Sequence, residues 1–289
     1  MKVLVLGGKG FIGRHAVAAL HTAGVDITVG SRNPNSTASI HAEEKHVLHQ
    51  ALSADYWSEV ANRFDVILNC VGILRQRFGE SYEAVHHHAP RAIATACKET
   101  ATRFVHVSAL GLSSNDTSRF LTSKVRGEAA IQQLGGDWLV ARLSLLDGEG
   151  GYGASWLRGV ARLPLFVVPS SAKGKIAALT AEDAGSALCK LCLNSSDKLN
   201  VADSRVFELG GEKAVLFEDY IRGLRQRTRS KPALAIRVPG ILARLGAHVC
   251  DVFHFSPFSF GHWELLCKDN VPNPNRLPEL LGRPPDTVI

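Results

Sequence analysis

Gly7-Gly8-Lys9-Gly10-Phe11-Ile12-Gly13 sets glycines at Gly7, Gly10 and Gly13, the spacing GxxGxxG. The apolar run Val3-Leu4-Val5-Leu6 stands directly before it, and residues 11–23 carry apolar side chains at helical spacing up to Gly24. A buried strand, a glycine turn and an amphipathic helix, in that order, make a phosphate-binding unit. The first glycine lets the chain turn sharply off the strand. The second lets backbone approach a pyrophosphate, and the third lets the helix pack close to the sheet. The helix start then offers free N–H groups and the positive end of its dipole to the phosphates. A lone glycine triplet is weak evidence; this strand-to-helix context gives it weight.

Working outward, Ile27-Thr28-Val29 reads as a second strand, residues 33–43 as a polar loop, and Val47-Leu48 as a weak third strand. A helix over 56–63 leads to a strong fourth strand at 65–71. A helix over 82–101, a strand at 103–108, a helix over about 118–134 and a strand at 138–146 follow. Alternating strands and helices predict an α/β fold, a Rossmann-type doubly wound parallel sheet. After Leu146 the texture changes: Gly148, Gly150, Gly151 and Gly153 mark a flexible loop, and the chain ends in a Pro-rich, aromatic tail. The expected division is a nucleotide domain over 1–150 and a region over 151–289 that completes the sheet and caps the substrate side.

The end of the second strand bears on the cofactor. Many NAD sites carry an acid there to bond the ribose hydroxyls. Here the chain reads Val29-Gly30-Ser31-Arg32-Asn33. Arg32 can pair with a 2′-phosphate, Ser31 can donate to it, and Lys9 adds charge nearby. The expected cofactor is therefore NADP(H), ahead of NAD(H).

The chain has 289 residues, 45% hydrophobic and 21% charged, as in globular proteins. No apolar run is long enough to span a bilayer. Met1-Lys2 runs into an apolar stretch too short for a secretory leader, so a cytoplasmic-type compartment, with membrane-peripheral association as an addition, is expected. The net charge of +6 gathers in part at Arg222, Arg225, Arg227, Arg229 and Lys231. That run is read first as a helix C-terminus and second as a site for an anionic partner, a membrane surface or an acidic protein. No nucleic-acid module is visible. Cys189 and Cys192 form a CxxC inside an apolar helical stretch and read as core residues, with no second thiol pair to suggest zinc.

The chain resembles the atypical or extended short-chain dehydrogenase/reductases. Within them it resembles the NAD(P)-dependent epimerase/dehydratase-like proteins related to the nucleotide-binding accessory subunit of respiratory complex I. The likeness is carried by LGGKGFIG (6–13), LNCVG (68–72), RFVHVSALG (103–111), SKVRGE (123–128), ARLSLLDGEGG (141–151), LTAEDAGSAL (179–188) and the tail 258–285. That tail looks like the tail of bacterial members, some of which carry a DoxX-like membrane domain. The resemblance implies that Cys70, Val71 and Gly72 lie beside the adenosine side. It also implies that Ser108, Lys124 and Leu143 lie along the cofactor, with Lys124 at the nicotinamide ribose.

The superfamily's chemistry uses a Tyr-x-x-x-Lys helix, with a Ser or Thr hydroxyl to polarise the substrate. Four residues before Lys124 this chain has Phe120, and a phenyl ring donates no proton. Ser108 ends its strand, but Ala109 and Leu110 follow without hydroxyls. The standard set is incomplete, and three readings stay open. One is a redox enzyme using another acid, with Tyr152, Ser144, Ser123 and Lys124 as candidates and Lys124, Ser108 and Tyr152 leading. Another is flavin- or quinone-type hydride transfer. The last is a non-catalytic NADP(H)-binding accessory or assembly factor of a respiratory or membrane complex. An oxidoreductase on an unidentified small apolar or carbonyl substrate leads.

Among the remaining residues, His86-His87-His88 sits on a predicted helix, where successive side chains point about 100° apart and cannot converge on one ion. No metal site is expected. Glu182-Asp183 is read as a helix-start acid that caps N–H groups, and Arg142 as a structural ion-pair partner. The stretch Phe253-His254-Phe255-Ser256-Pro257-Phe258-Ser259-Phe260 reads first as core. Together with the amphipathic Ile241–Leu245 it reads second as a surface for a lipid, quinone or protein.

Overall fold

The computed structural model describes residues 1–33, 41–228, 231–253 and 258–289. The first half alternates strands β1 (Lys2–Leu6), β2 (Asp26–Ser31), β3 (Ala42–Lys45), β4 (Val66–Asn69), β5 (Arg103–Ala109) and β6 (Trp138–Leu143) with helices. Those helices are α1 (Phe11–Thr22), α2 (Leu48–Ala51), α3 (Ala54–Ala61), α4 (Ala89–Glu99) and α5 (Arg119–Gln132). The second half holds β7 (Leu146–Asp147), α6 (Tyr152–Arg162), β8 (Leu165–Pro169), β9 (Lys175–Ile176), β10 (Leu179–Thr180) and α7 (Ala181–Leu193). It continues through β11 (Val206–Leu209), β12 (Val215–Leu216), α8 (Phe217–Gln226), β13 (Leu234–Val238), α9 (Gly240–Phe253), α10 (Phe260–Leu266) and α11 (Leu277–Leu281).

The main sheet runs β11-β6-β5-β4-β1-β2-β3, with every neighbouring pair parallel. The order reverses between β1 and β4, the crevice where such sheets bind nucleotides. Strand residues serve the two faces alternately. Val3, Val5, Val66, Leu68, Val105 and Val107 pack with Ala16 and Leu20 of α1 and Ala184 and Leu188 of α7. Leu4, Leu6, Ile67, Phe104 and Val140 pack on the other side with Trp57 of α3 and Ile93 of α4. A strand buried on both faces must be apolar at successive positions, which is why β1 and β4 read as unbroken runs. Helices α1 and α7 press together at Gly185, where a Cβ would sit 2.6 Å from the His15 carbonyl. A satellite core of Leu157, Phe166, Tyr220, Ile221 and Val288 ties α6, α8 and β8 together beyond β6.

Several boundaries differ from the sequence reading. The third strand is Ala42–Lys45, which pairs through its backbone with β2, while Val47 is the N-cap of α2. The strand expected at 138–146 stops at Leu143 and resumes as β7, which leaves the main sheet to pair with β10, while the Ser144 hydroxyl turns to Asn270. The helix over 82–101 opens with one π-helical turn, Ala84–His88. The polar loop lies outside the described residues at 34–40, as do Arg229 of the basic run and His254–Pro257 of the aromatic stretch.

Candidate dinucleotide and substrate site

Gly7 takes φ +73°, donates its N–H to the Gly30 carbonyl at 3.0 Å, and accepts from the Gly10 N–H at 2.8 Å. A Cβ on Gly13 would lie 2.2 Å from the Gly7 carbonyl oxygen, so this contact of turn and helix exists only with glycine there. Gly10 is the N-cap of α1 and supplies no side-chain acceptor. The first-turn N–H groups are thus left for a ligand, and the cradle fits the pyrophosphate of a dinucleotide. The glycines after β7 have a related use. The loop lies over the start of α1, where a Cβ on Gly151 would meet the Phe11 ring at 2.7 Å and one on Gly150 the Arg14 guanidinium at 2.4 Å.

At the end of β2 the Ser31 hydroxyl oxygen is buried with no hydrogen-bond partner. Arg32 pairs with Glu80. The Lys9 ammonium donates to the Asn33 carbonyl at 3.1 Å and to Glu43 at 2.8 Å. Both cations therefore already hold carboxylates, and a phosphate arriving there competes with them.

From the glycine loop a largely apolar cleft of about 340 Å³ runs over the ends of β4, β5 and β6. It is lined by Phe11, Ile12, Cys70, Val71, Gly72, Ser108, Lys124 and Leu143. Burial lifts the Cys70 thiol to about 12, so it stays protonated. The Ser108 hydroxyl is buried without a partner. Burial pulls the Lys124 ammonium down to about 8, against an opposing pull from Glu128. Its Nζ lies 5.7 Å from the centre of the Phe120 ring, which also lines the cleft. Tyr152 is not brought here: it is 61% exposed, although the next residues of α6, Gly153 and Ala154, do reach the wall.

The other wall comes from residues the sequence reading did not place: Trp156, Phe258, His262, Leu265, Leu266 and Asn270. His262 stacks on Phe120 at 5.7 Å, and its Nδ1 lies 2.6 Å from the Ser259 hydroxyl, which caps α10. Burial pulls this imidazole down to about 4, so it is neutral near pH 7. The available signal was a histidine beside Gly261 and Trp263 in an otherwise apolar tail. Asn270 joins the wall to the sheet, accepting from the Ser144 hydroxyl at 2.7 Å and donating to the Leu110 carbonyl at 2.8 Å.

Ser144 is therefore spent on Asn270. Ser123 lies fully buried, 3.0 Å from the His86 Nδ1, and donates to the Phe120 carbonyl at 2.9 Å. The His86 Nε2 accepts from the Ile73 N–H, which puts its proton on Nδ1, toward Ser123. His86 separates from the other two histidines, but on the π turn the rings of His87 and His88 stack at 4.5 Å. Their ligand atoms and that of Glu83 lie within 4.8 Å of one another, closer than α-helical spacing suggests, while Glu83 already binds Arg126. Thr180, not Asp183, caps α7; the buried Asp183 carboxylate instead takes the Arg283 guanidinium and the Asp286 N–H. Arg142 forms ion pairs with Glu128 and Glu208. Cys189 and Cys192 are free, buried core thiols.

Residues 7–158 match a family model described as NAD(P)H-binding. A ceramide reductase of Caulobacter vibrioides is 26% identical over 196 residues, covering 66% of this chain and 60% of that protein. Subunit 9 of the NADH dehydrogenase [ubiquinone] 1 alpha subcomplex of Rattus norvegicus is 29% identical over 153 residues, covering 50% of this chain and 40% of that one. The chain thus spans about 60% or less of these relatives' lengths. Among solved structures, a nucleoside-diphosphate-sugar epimerase from Staphylococcus aureus has a TM-score of 0.73 at 12% identity, over 99% of this chain and 98% of that one. MoeE5 in complex with UDP-glucuronic acid and NAD has a TM-score of 0.68 at 16% identity, over 99% and 94%. At these identities the structures speak to the fold alone. The glycine cradle at the sheet's reversal point and the matched span converge: the chain belongs to the NAD(P)H-binding family, on a fold it shares with the nucleoside-diphosphate-sugar epimerase.

Proposed function

We propose that the protein is an NADP(H)-dependent reductase of a long, apolar carbonyl compound, with Lys124 transferring the proton that tyrosine transfers elsewhere in the superfamily. The observation that carries this reading is an ammonium with a pKa near 8 in the wall of an apolar cleft, beside a phenyl ring in the tyrosine's place. The cofactor, when bound, supplies a hydride to the carbonyl carbon. The proton for the carbonyl oxygen comes from the Lys124 Nζ, which leaves an alcohol and a neutral amine that solvent reprotonates. An acid with a pKa near the working pH serves such a step best. The buried Ser108 hydroxyl is a second donor that can polarise the carbonyl. The apolar walls given by Leu143, Trp156, Leu265 and Leu266 exclude water and favour an aliphatic substrate. A relative whose name gives ceramide as its substrate supports a lipid-like carbonyl.

For the cofactor, Arg32 and Ser31 favour the 2′-phosphate, with Glu80 as the competitor for Arg32. Arg32→Ala should weaken NADPH by about tenfold or more with little effect on NADH, since a charged hydrogen bond contributes about 1.5–3 kcal/mol. Glu80→Gln should tighten NADPH. Equal NADPH affinity in Arg32→Ala, by fluorescence titration, would remove Arg32 from the cofactor site.

The similarity to the complex I subunit favours a second reading, a nucleotide-loaded accessory factor of a respiratory complex without turnover. Phe120→Tyr separates the two. If Lys124 is the working acid, adding a tyrosine changes the pH profile of an activity that wild type already shows. If the protein is an accessory factor, neither form turns over.

A further inference from the structure

Helix α9 is built the wrong way round for a helix on a globular protein. Its apolar side chains Ile241, Leu242, Leu245, Val249, Val252 and Phe253 are all exposed, Ile241 by 83% and Val252 by 72%. On a helical projection they fall within one arc of about 120°. The polar side chains do the attaching. Arg244 lies over the Phe260 and Trp263 rings at 5.3 and 5.9 Å. His248 stacks on Phe260 at 4.4 Å, and Asp251 takes the Phe260 N–H and Arg75, both at 2.9 Å. Only Ala247 and Cys250 of the helix are buried. The strand pair just before α9 repeats the pattern. Leu165 and Leu234, and Val167 and Ile236, are cross-strand partners, and all four are exposed.

The charge around this apolar surface leans positive. From Tyr220 to Cys250 the sequence holds seven arginines and lysines and no aspartate or glutamate. Of the acids that border the run, Glu218 pairs with Arg222 and Arg237, Asp251 on α9 pairs with Arg75, and Asp219 is exposed, which leaves a cationic excess. An outward apolar helix face within a segment of net positive charge matches the interface of an anionic bilayer, where apolar side chains enter the acyl boundary and cations meet the headgroups. An acidic protein would match the charge but not an arc without a polar side chain. No helix among the described residues is long and apolar enough to cross a membrane.

We infer that α9, with the outer face of β8 and β13, docks the protein on an anionic lipid surface. The test is co-sedimentation of the full chain with phosphatidylcholine vesicles, with and without phosphatidylglycerol. The wild-type protein should sediment with the anionic vesicles and far less with the neutral ones. The triple variant Ile241→Ser, Leu245→Ser, Val252→Ser should lose about tenfold or more of that binding while keeping its circular dichroism and NADPH affinity. Phe253→Trp should shift its emission to the blue on anionic vesicles. Wild-type protein that stays in the supernatant, or a triple variant that binds equally well, overturns the proposal. So does a wild-type dimer that the triple variant dissociates without any vesicle binding, which would assign the face to a second copy of the chain.

Discussion

At the scale of single residues, Phe120 and Lys124 decide the proposed chemistry. A phenyl ring in the tyrosine's place stacks on His262 and meets Tyr82, so the position is filled by packing and left without a proton. The lysine behind it is held below its usual range by burial. Carbonyl reduction should therefore fall as pH rises through about 8, where Lys124 loses its proton, and alcohol oxidation should rise over the same interval. Lys124→Met should lower kcat by about a hundredfold or more and abolish that inflection. An unchanged pH profile in Lys124→Met would assign the proton to another group. Ser108→Ala should lower kcat but keep the inflection, because it removes one donor and leaves the acid in place.

At the scale of elements, β1, the glycine turn and α1 were legible at once, since each residue obeys a local rule: an unbroken apolar run, glycines at the close approaches, 3.6-residue periodicity. Gly13→Ala tests that unit. Its methyl would press on the Gly7 carbonyl, so nucleotide affinity should drop at least tenfold, by calorimetric titration, with a loss of stability of about 1–3 kcal/mol. Where the reading failed, the cause lay outside local pattern. Edge strand β3 is Ala-Glu-Glu-Lys and carries no alternating apolar signal, while Val47 and Leu48 looked like the better strand. The triple histidine was read at α-helical spacing, and one π turn changed which side chains meet. The site showed the same split. The residues from β1 to β6 that line the cleft follow from motif and resemblance. His262, Leu265 and Asn270 reach it only because the chain folds back over more than a hundred residues, which no periodicity encodes.

At the scale of the whole molecule, neutral histidines are built into the interior. His86, His106 and His262 are all held well below the usual imidazole value, first by burial, with Lys124 adding to the effect at His86 and His106. The unfolded chain binds these protons near pH 6.5, and the folded chain refuses them until far lower pH. Stability from this source is complete above about pH 6.5 and declines as pH falls toward the folded-state values, with uptake of roughly one proton per histidine on unfolding. Melting temperatures should drop steadily from pH 7 to pH 5, and His86→Gln should flatten that dependence. A flat Tm across the interval would mean that these imidazoles titrate normally. The same interior makes the C-terminal region part of the site: removing α10 should open the cleft wall and impair substrate use before it impairs nucleotide binding.

The most direct test of the central claim is to load the purified protein with NADPH, mix it with long-chain aldehydes, ketones and quinones, and follow the nicotinamide absorbance. NADPH should be oxidised by aliphatic carbonyl compounds, faster than NADH, and the reaction should be lost in Lys124→Met. Tightly bound NADPH that stays inert toward every acceptor would contradict the claim and leave the accessory-factor reading in its place.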